Sequence, residues 1–462
     1  MTRNTRRVLV AASVICAIAA VAPAAVAKKM TLPQLLEMAR DYPGLQASAA
    51  ATAAMEAQVA EAKANWLPQG DILSLLAPSP NVRCQPPRAG ADDPTPCLTT
   101  SSSEASLRTI NWSQVFTRTE IKLIQPIWDF GKISAGVAAA KAGVEVSRQR
   151  EASARADIEM NVRKAYFGLK FAREILDMLD QGSGYVDDGQ KKLEKDLANG
   201  TGNVTVTDKL RMRTVRAELD ARILEAKRLQ GLARESLRIL LGPEAPADID
   251  VDDEPFEAPE VKEHPVTYYE EIARGSRPEV RMLEYAVRAK HALADLERRK
   301  EYPDLVLIGT AAFARAQGVD DPPNAFMSHY FNSTTGGVAA ALRMQLDLGP
   351  KIARARKSAA EALEIEYRRS EALGGVMLDV RKAYGEVTEA LARTDATAKG
   401  EKAGRAWISA VSQNFAVGLA EARDFSDALV AFFGMRTRYL QSVFDLNIAV
   451  GALGRATGSW GL

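Results

Sequence analysis

The sequence predicts a mainly α-helical chain in which long antiparallel coiled-coil helices carry a smaller β portion of four strands. Three observations lead there: the placement of proline, an internal duplication, and two stretches whose apolar residues alternate. Of the 21 prolines in 462 residues, none lies between Pro126 and Pro243 and none follows Pro350. Proline is the strongest helix breaker, and the two proline-free runs are rich in Ala, Leu, Glu, Lys and Arg, the good helix formers. From about Ser134 to Ala198, apolar residues such as Ile158, Val162, Ala165, Tyr166 and Leu169 recur at three- and four-residue spacing. One helix of that length extends roughly 100 Å at 1.5 Å per residue, too long for a compact domain, so long helical hairpins are indicated. Gly182, Gly184, Gly374 and Gly375 interrupt the helical runs and predict local bends or close helix approach.

The chain begins with an address. Arg3, Arg6 and Arg7 precede an apolar run from Val8 to Val21, and Ala25-Val26-Ala27 offers a cleavage site before Lys28. Residues 1–27 therefore read as a secretory signal peptide. Cys16 lies in the middle of the apolar run behind Ile15, which does not fit a lipidation site. No later stretch approaches the roughly 18 apolar residues of a spanning helix.

The mature chain is a tandem. Asp129-Phe130-Gly131 matches Asp347-Leu348-Gly349, Val-Arg-Lys-Ala-Tyr at 162–166 recurs at 380–384, and Gly200 matches Gly418, all at an offset of 218 residues. The organisation is thus a first repeat over 28–242, an acidic, Pro-rich linker over 243–265, and a second repeat over 266–462. Each repeat runs from a short helix through two strands to a long helical hairpin. In the second, Leu305–Phe313 is β-rich, and Val338, Ala340, Leu342, Met344 and Leu346 alternate with Ala339, Ala341, Arg343, Gln345 and Asp347. The first offers Asp71–Ala77 and a strand near Leu107–Gln125, where Thr117, Thr119, Ile121 and Leu123 alternate with Arg118, Glu120 and Lys122. This makes four strands, paired as two hairpins.

Composition narrows the function classes. Lys and Arg total 60 against 59 Asp and Glu, without the basic excess of a nucleic-acid binder. The three histidines, His264, His291 and His329, fall on a linker, a helix and a loop with no triad or metal spacing. The reading is therefore neither an enzyme nor a metal or cofactor protein. Four strands cannot close a barrel, and a membrane barrel needs about eight or more. If these strands enter lipid, several chains must share one barrel. The alternative is a soluble periplasmic coiled-coil adaptor or scaffold with two small hairpins on its rods.

The pieces together resemble the TolC family of outer-membrane efflux proteins over essentially the whole mature chain. The resemblance rests on the duplication, on Trp66-Leu67-Pro68-Gln69 before the first strand, and on Gln125-Pro126-Ile127-Trp128-Asp129-Phe130-Gly131-Lys132 at the strand-to-helix turn. Tyr166, Tyr384 and the glycine turns add to it. It implies a homotrimer in the outer membrane with a periplasmic helical tunnel and a shared twelve-stranded barrel. Such a channel is the exit duct of a tripartite efflux or type I secretion system, docked on a periplasmic adaptor (membrane fusion) protein and an inner-membrane transporter. Outer-membrane lipid is then a partner, and nucleic acid is not.

The same resemblance assigns Asp424 and Asp427, just past Gly418, to the closed periplasmic aperture, where three chains place six carboxylates around one opening. Such rings attract cations and set permeability. By residue type alone, Asp424 also reads as a helix N-cap and Asp427 as a first-turn acid; the two roles are compatible. Where the best-known members carry an arginine and a tyrosine that lock the entrance, this chain has Ala420 and Phe415. Arg423 and Asp208 are the residues placed to substitute in a gate network. Cys84 and Cys97, in the Pro-rich loop between the first two strands, pair as one disulfide in an oxidising compartment. Trp112, Trp128 and Tyr330 are candidates for aromatic girdles or for buried packing.

Overall fold

The computed structural model describes residues 28–80, 110–200, 205–246, 248–262, 264–319, 321 and 330–460. Cys84, Cys97 and His329 lie outside the described residues. A short strand β1 (Lys28–Met30) comes first, followed by helices α1 (Leu32–Met38) and α2 (Pro43–Ala64) and strands β2 (Gln69–Pro80) and β3 (Ile110–Trp128). Two long helices come next, α3 (Lys132–Asn199) and α4 (Val206–Leu240), and then a second short strand β4 (Ile249–Val251). The second series is α5 (Val266–Ser276), α6 (Pro278–Arg299), β5 (Asp304–Ala316), β6 (Ser333–Arg343), α7 (Leu348–Ala416) and α8 (Ala422–Thr457). Helices α2 and α6 both have 22 residues and both begin on a proline, whose missing N–H costs nothing in a first turn. Helices α3 and α7 have 68 and 69 residues.

The glycines inside these helices do not break them. At Gly182 an added Cβ would lie 3.0 Å from the Phe433 ring, so this glycine permits close helix approach instead of a bend. No neighbour lies within 4 Å of a Cβ at Gly374 or Gly375, and α7 continues through both.

The chain divides into two compact units. One gathers residues up to Tyr42, Asn161–Pro259 and Ala390–Ile448. Its core is made where parts of α3, α4, α7 and α8 meet. Leu179, Val186 and Leu193 on α3 are buried at seven-residue intervals, the seam that two long helices need to stay in contact. Phe425, Leu429 and Phe432 on α8 and Met212 on α4 complete one cluster. Met178, Ala226, Phe256, Leu440 and Val443 build the next around Leu179.

The part of the Pro-rich 243–265 segment up to Pro259 is tied down in this unit. Its strand β4 pairs in parallel with β1, Lys28 opposite Ile249 and Met30 opposite Val251. Ile249 and Val251 are fully buried. Asp252 next to them accepts hydrogen bonds from Tyr166 Oη at 2.8 Å and Lys170 Nζ at 2.6 Å. Burial alone would push the Asp252 carboxyl up, but Lys170 and Tyr166 hold it below the usual carboxylate range. Burial pushes the Tyr166 phenol up, and the Asp252 carboxylate adds to that shift.

The other unit gathers Pro43–Met160, Glu260–Glu389 and the chain from Ala449 on. It holds the sheet, ordered β2-β3-β5-β6 and antiparallel throughout. The two hairpins anticipated from alternation are present and are joined through β3 and β5 into one sheet. A polar clamp lies among the helices of this unit. Arg455 donates to Glu279 at 2.5 Å, to Asp157 at 2.8 Å and to Ser153 at 3.2 Å. Arg277 bridges Glu279 at 3.2 Å and Asp379 at 2.9 Å. Among the described residues, no helix is long and apolar enough to cross a membrane.

Candidate functional site

Two features carry chemistry suited to a function: the four-stranded sheet in one unit and the α7–α8 turn in the other. In the sheet, residue period and register fix two faces. One face runs through Ile72, Ser74 and Leu76 on β2, Thr117, Thr119, Ile121 and Leu123 on β3, Ala311 and Phe313 on β5, and Gly336 and Val338 on β6. Apart from Arg315 on β5, opposite Thr117, its side chains are apolar or small, and several stand open: Leu76 is 77% exposed and Val338 73%. The opposite face is mixed: it carries Asp71, Leu73 and Leu75 on β2 and Arg118, Glu120 and Lys122 on β3, with Ile308, Thr310 and Thr335 on the second hairpin. An isolated sheet in water would bury its apolar face and expose its charged one; here the apolar face is left without cover.

The edges are as telling. Among the described residues, strands β2 and β6 each pair on one side only. Alternating strand directions make β6 of one copy antiparallel to β2 of the next, so identical sheets can join edge to edge without breaking the antiparallel pattern. The strands have 12, 19, 13 and 11 residues, against the roughly 9–11 that a tilted strand needs to span a bilayer.

The strand-to-helix turn shows what the Asp129-Phe130-Gly131-Lys132 motif does. Asp129 is buried; its carboxylate accepts from Gly131 N at 2.9 Å and Ile133 N at 2.5 Å, capping α3. Lys132 reaches Asp304 at 2.6 Å and the Tyr302 carbonyl at 2.7 Å, tying this turn to the start of β5. Phe130 stacks on Tyr302 with centroids 5.5 Å apart, and Trp128 meets Phe130 edge-on at 6.2 Å. These rings form an exposed aromatic cluster at the helix end of the strands. Trp112 and Tyr330, at the opposite end, are 77% and 57% exposed.

At the second feature, α7 ends in a Schellman turn. Leu419 N donates to Asn414 O at 2.8 Å and Gly418 N to Phe415 O at 3.1 Å, with Gly418 at φ +82°. Only glycine adopts that backbone without a Cβ penalty. Val417 and Leu419, flanking it, are 72% and 81% exposed. Helix α8 begins at Ala422, three residues earlier than an Asp424 cap requires, so Asp424 lies in the first turn and not at the cap. Both Asp424 and Asp427 are exposed. Arg423 reaches Asp427 at 3.7 Å, a solvated pair that contributes little.

The other gate candidates sit differently. Phe415 is buried and stacks on Phe425 at 4.9 Å with ring planes 11° apart; it belongs to the core cluster. Asp208 closes a capping box with Thr205 at the start of α4, accepting from Thr205 N at 3.0 Å and Oγ1 at 2.7 Å. Those bonds hold the Asp208 carboxyl below its ordinary range. The sequence reading missed Lys192, whose ammonium lies 5.5 Å from the Phe415 ring and 3.1 Å from Asp196. Its i,i+4 spacing to Asp196 was the available signal.

Residues 271–459 match the family model described as outer membrane efflux protein. The chain is similar in structure to the outer membrane channel CmeC of Campylobacter jejuni, at 14% identity and a TM-score of 0.73, covering 93% of this chain and 87% of that one. It is also similar to the outer membrane protein VceC of Vibrio cholerae: 16% identity, TM-score 0.71, 93% of this chain and 96% of that one. The open state of the Neisseria gonorrhoeae outer membrane channel MtrE matches at 15% identity and 0.71, over 93% and 89%. No curated protein matches the chain by sequence.

Proposed function

We propose that the protein is the exit duct of an efflux system: residues 271–459 match the outer membrane efflux protein family model, in a chain similar in fold to outer-membrane channels over nearly its full length. Three copies share one twelve-stranded barrel in the outer membrane, and the long helices form its periplasmic extension. The observation that carries this reading is the sheet: an uncovered apolar face, a charged opposite face and two free, antiparallel-compatible edges. Lipid satisfies the first, a water-filled pore the second, and neighbouring copies the third. Three copies, not two, is what the TolC resemblance implies.

Transport through such a duct is passive, and the α7–α8 turn is its entrance. Asp424 and Asp427, repeated by symmetry, draw cations to the opening and set its permeability. Capping by Asp208 and stacking by Phe415 stiffen the helix pairs around it, and Arg423 is the exposed cation nearest the acids. Val417 and Leu419 give the turn an apolar surface for the helical tip of a periplasmic adaptor, which joins the duct to an inner-membrane transporter. Purified protein reconstituted in planar bilayers tests the reading: discrete, cation-preferring conductance is the expected result. Protein that leaves membranes without detergent and produces no conductance would instead make it a periplasmic scaffold.

A further inference from the structure

We propose that the helical part of the chain holds a binding site for an amphipathic organic anion, in the groove that α2, α3 and α6 enclose. The inference stands apart from the duct reading. A cavity of about 590 Å³ opens between these three helices, and its walls all belong to one compact unit. That volume suits a small molecule, whose sites are mostly apolar with a few placed polar groups. Val59 from α2, Ala138, Ala142 and Val144 from α3 and Ala292 from α6 supply the apolar wall. Val144 is buried, and the three alanines leave open the space that larger side chains would fill.

The charges that line the groove do not balance. Glu56 and Glu145 stand against Lys141, Arg148 and Arg288, a surplus of one positive charge. Arg148 takes up both acids, donating to Glu56 and to Glu145 at 2.8 Å each. Lys141 and Arg288 have no acidic partner among the described residues. Arg288 is nonetheless held in place: its guanidinium carbon lies 5.2 Å from the ring centroid of Tyr285, one turn earlier on the same face of α6. A guanidinium laid on a ring keeps its edge donors free for a carboxylate or sulfonate. Lys141 lies about 14 Å from the start of α3 and Arg288 about 17 Å from the end of α6, at 1.5 Å per residue. Those two helix ends are joined through Lys132 and Tyr302, so the two cations stand at nearly one level.

Two unspent cations beside an apolar wall fit a single anionic head on an apolar body. A neutral apolar solute would desolvate Lys141 and Arg288 without pairing them, which costs free energy. An inorganic anion would pair them but leave the wall of Val59, Val144 and the alanines in water. The amphiphile satisfies both halves of the groove, and its body is held between α2, α3 and α6.

The test is a calorimetric titration of full-length protein in phosphatidylcholine nanodiscs with cholate, below the concentration that disrupts the discs and against empty discs. Saturable binding of one cholate per chain is the expected result. Lys141→Gln combined with Arg288→Gln should weaken it by about tenfold or more, the worth of one charge-assisted hydrogen bond, whereas Lys141→Arg should retain it. Ala138→Trp, at an exposed position, fills the groove while keeping every charge and should abolish binding. Uptake no greater than that of empty discs overturns the site, as does an affinity unchanged in either the double variant or Ala138→Trp. Sodium sulfate that displaces cholate at equal concentration would make the groove a simple anion site and overturn the amphiphile. Binding is read without conductance, so protein that binds cholate and does not conduct loses the duct reading alone.

Discussion

Replacing Arg455 by methionine should destabilise the protein by about 2–3 kcal/mol at neutral pH, because hydrogen bonds to charged groups contribute roughly 1.5–3 kcal/mol each. Arg455 makes three contacts of unequal worth. Its bond to Asp157 ends on a carboxylate that is 59% exposed and counts for little. Its bond to Glu279, 2.5 Å long between side chains only 17% and 25% exposed, dominates. After the substitution, Glu279 keeps Ser153 and Arg277 but loses its closest cation. The pH dependence comes from the same pair. Burial by itself pushes the Glu279 carboxyl up, but the bonds from Arg455 and Ser153 outweigh it and bring the pKa down to about 2, from an ordinary 4.5. A carboxyl whose folded pKa is depressed stabilises the fold above its unfolded pKa and loses that contribution as pH falls through the folded one. The stability gap between wild type and Arg455→Met should therefore be full above pH 4.5 and should close toward pH 2. Urea unfolding of detergent-solubilised protein, monitored by far-ultraviolet circular dichroism across that range, measures it. Arg455→Lys, which keeps the charge without the planar fork, should fall between the two. A variant within about 0.5 kcal/mol of wild type at neutral pH, the ordinary scale of a surface change, would refute the clamp. So would a gap that persists unchanged to pH 2.

The same geometry sets other outcomes. Leu76→Arg, on the apolar face, should impair assembly by roughly 2–4 kcal/mol, whereas Leu75→Arg, one residue away on the charged face, should assemble and change conductance; equal behaviour on an unheated gel would contradict the face assignment. Asp424→Ala combined with Asp427→Ala should reduce cation preference and block by multivalent cations, and an unaltered reversal potential in a salt gradient would remove the acidic-aperture reading. Asp252→Asn should release β1 and β4, costing about 1–3 kcal/mol through the orphaned Lys170, and amide exchange at residues 28–30 and 249–251 reads it directly. In wild type the Asp252 contribution should fade below its ordinary carboxylate range as the group protonates, since its folded pKa is depressed.

Much of the architecture was legible because helices and strands announce themselves by spacing. Uninterrupted proline-free runs and three- and four-residue apolar spacing such as Ile158, Val162, Ala165 and Leu169 are local signals, and they locate α3 within two residues of its observed ends. Strict alternation on β3 and β6 similarly separates the two faces before any pairing is known. The 243–265 segment was less legible. Its prolines and acids read as a linker and do not show that Asp252 is seated by Tyr166 and Lys170, more than eighty residues earlier in the chain. The gate residues were less legible still. Phe415 is a core ring because Phe425 lies against it across the Gly418 turn, a pairing that sequence order does not specify. Nothing local marks Gly318 as the contact of Ser79, from which 239 positions separate it.

The most direct measurement is the mass of the assembly taken from the membrane. Cells are fractionated, the outer membrane is extracted in detergent, and native mass spectrometry is applied to the purified protein. Three mature chains of about 47 kDa each, after removal of a signal peptide, in the outer-membrane fraction are the predicted result. A monomer or dimer, or protein released without detergent, would mean that the free edges of β2 and β6 do not close a shared barrel, and would contradict the reading of this chain as a membrane duct.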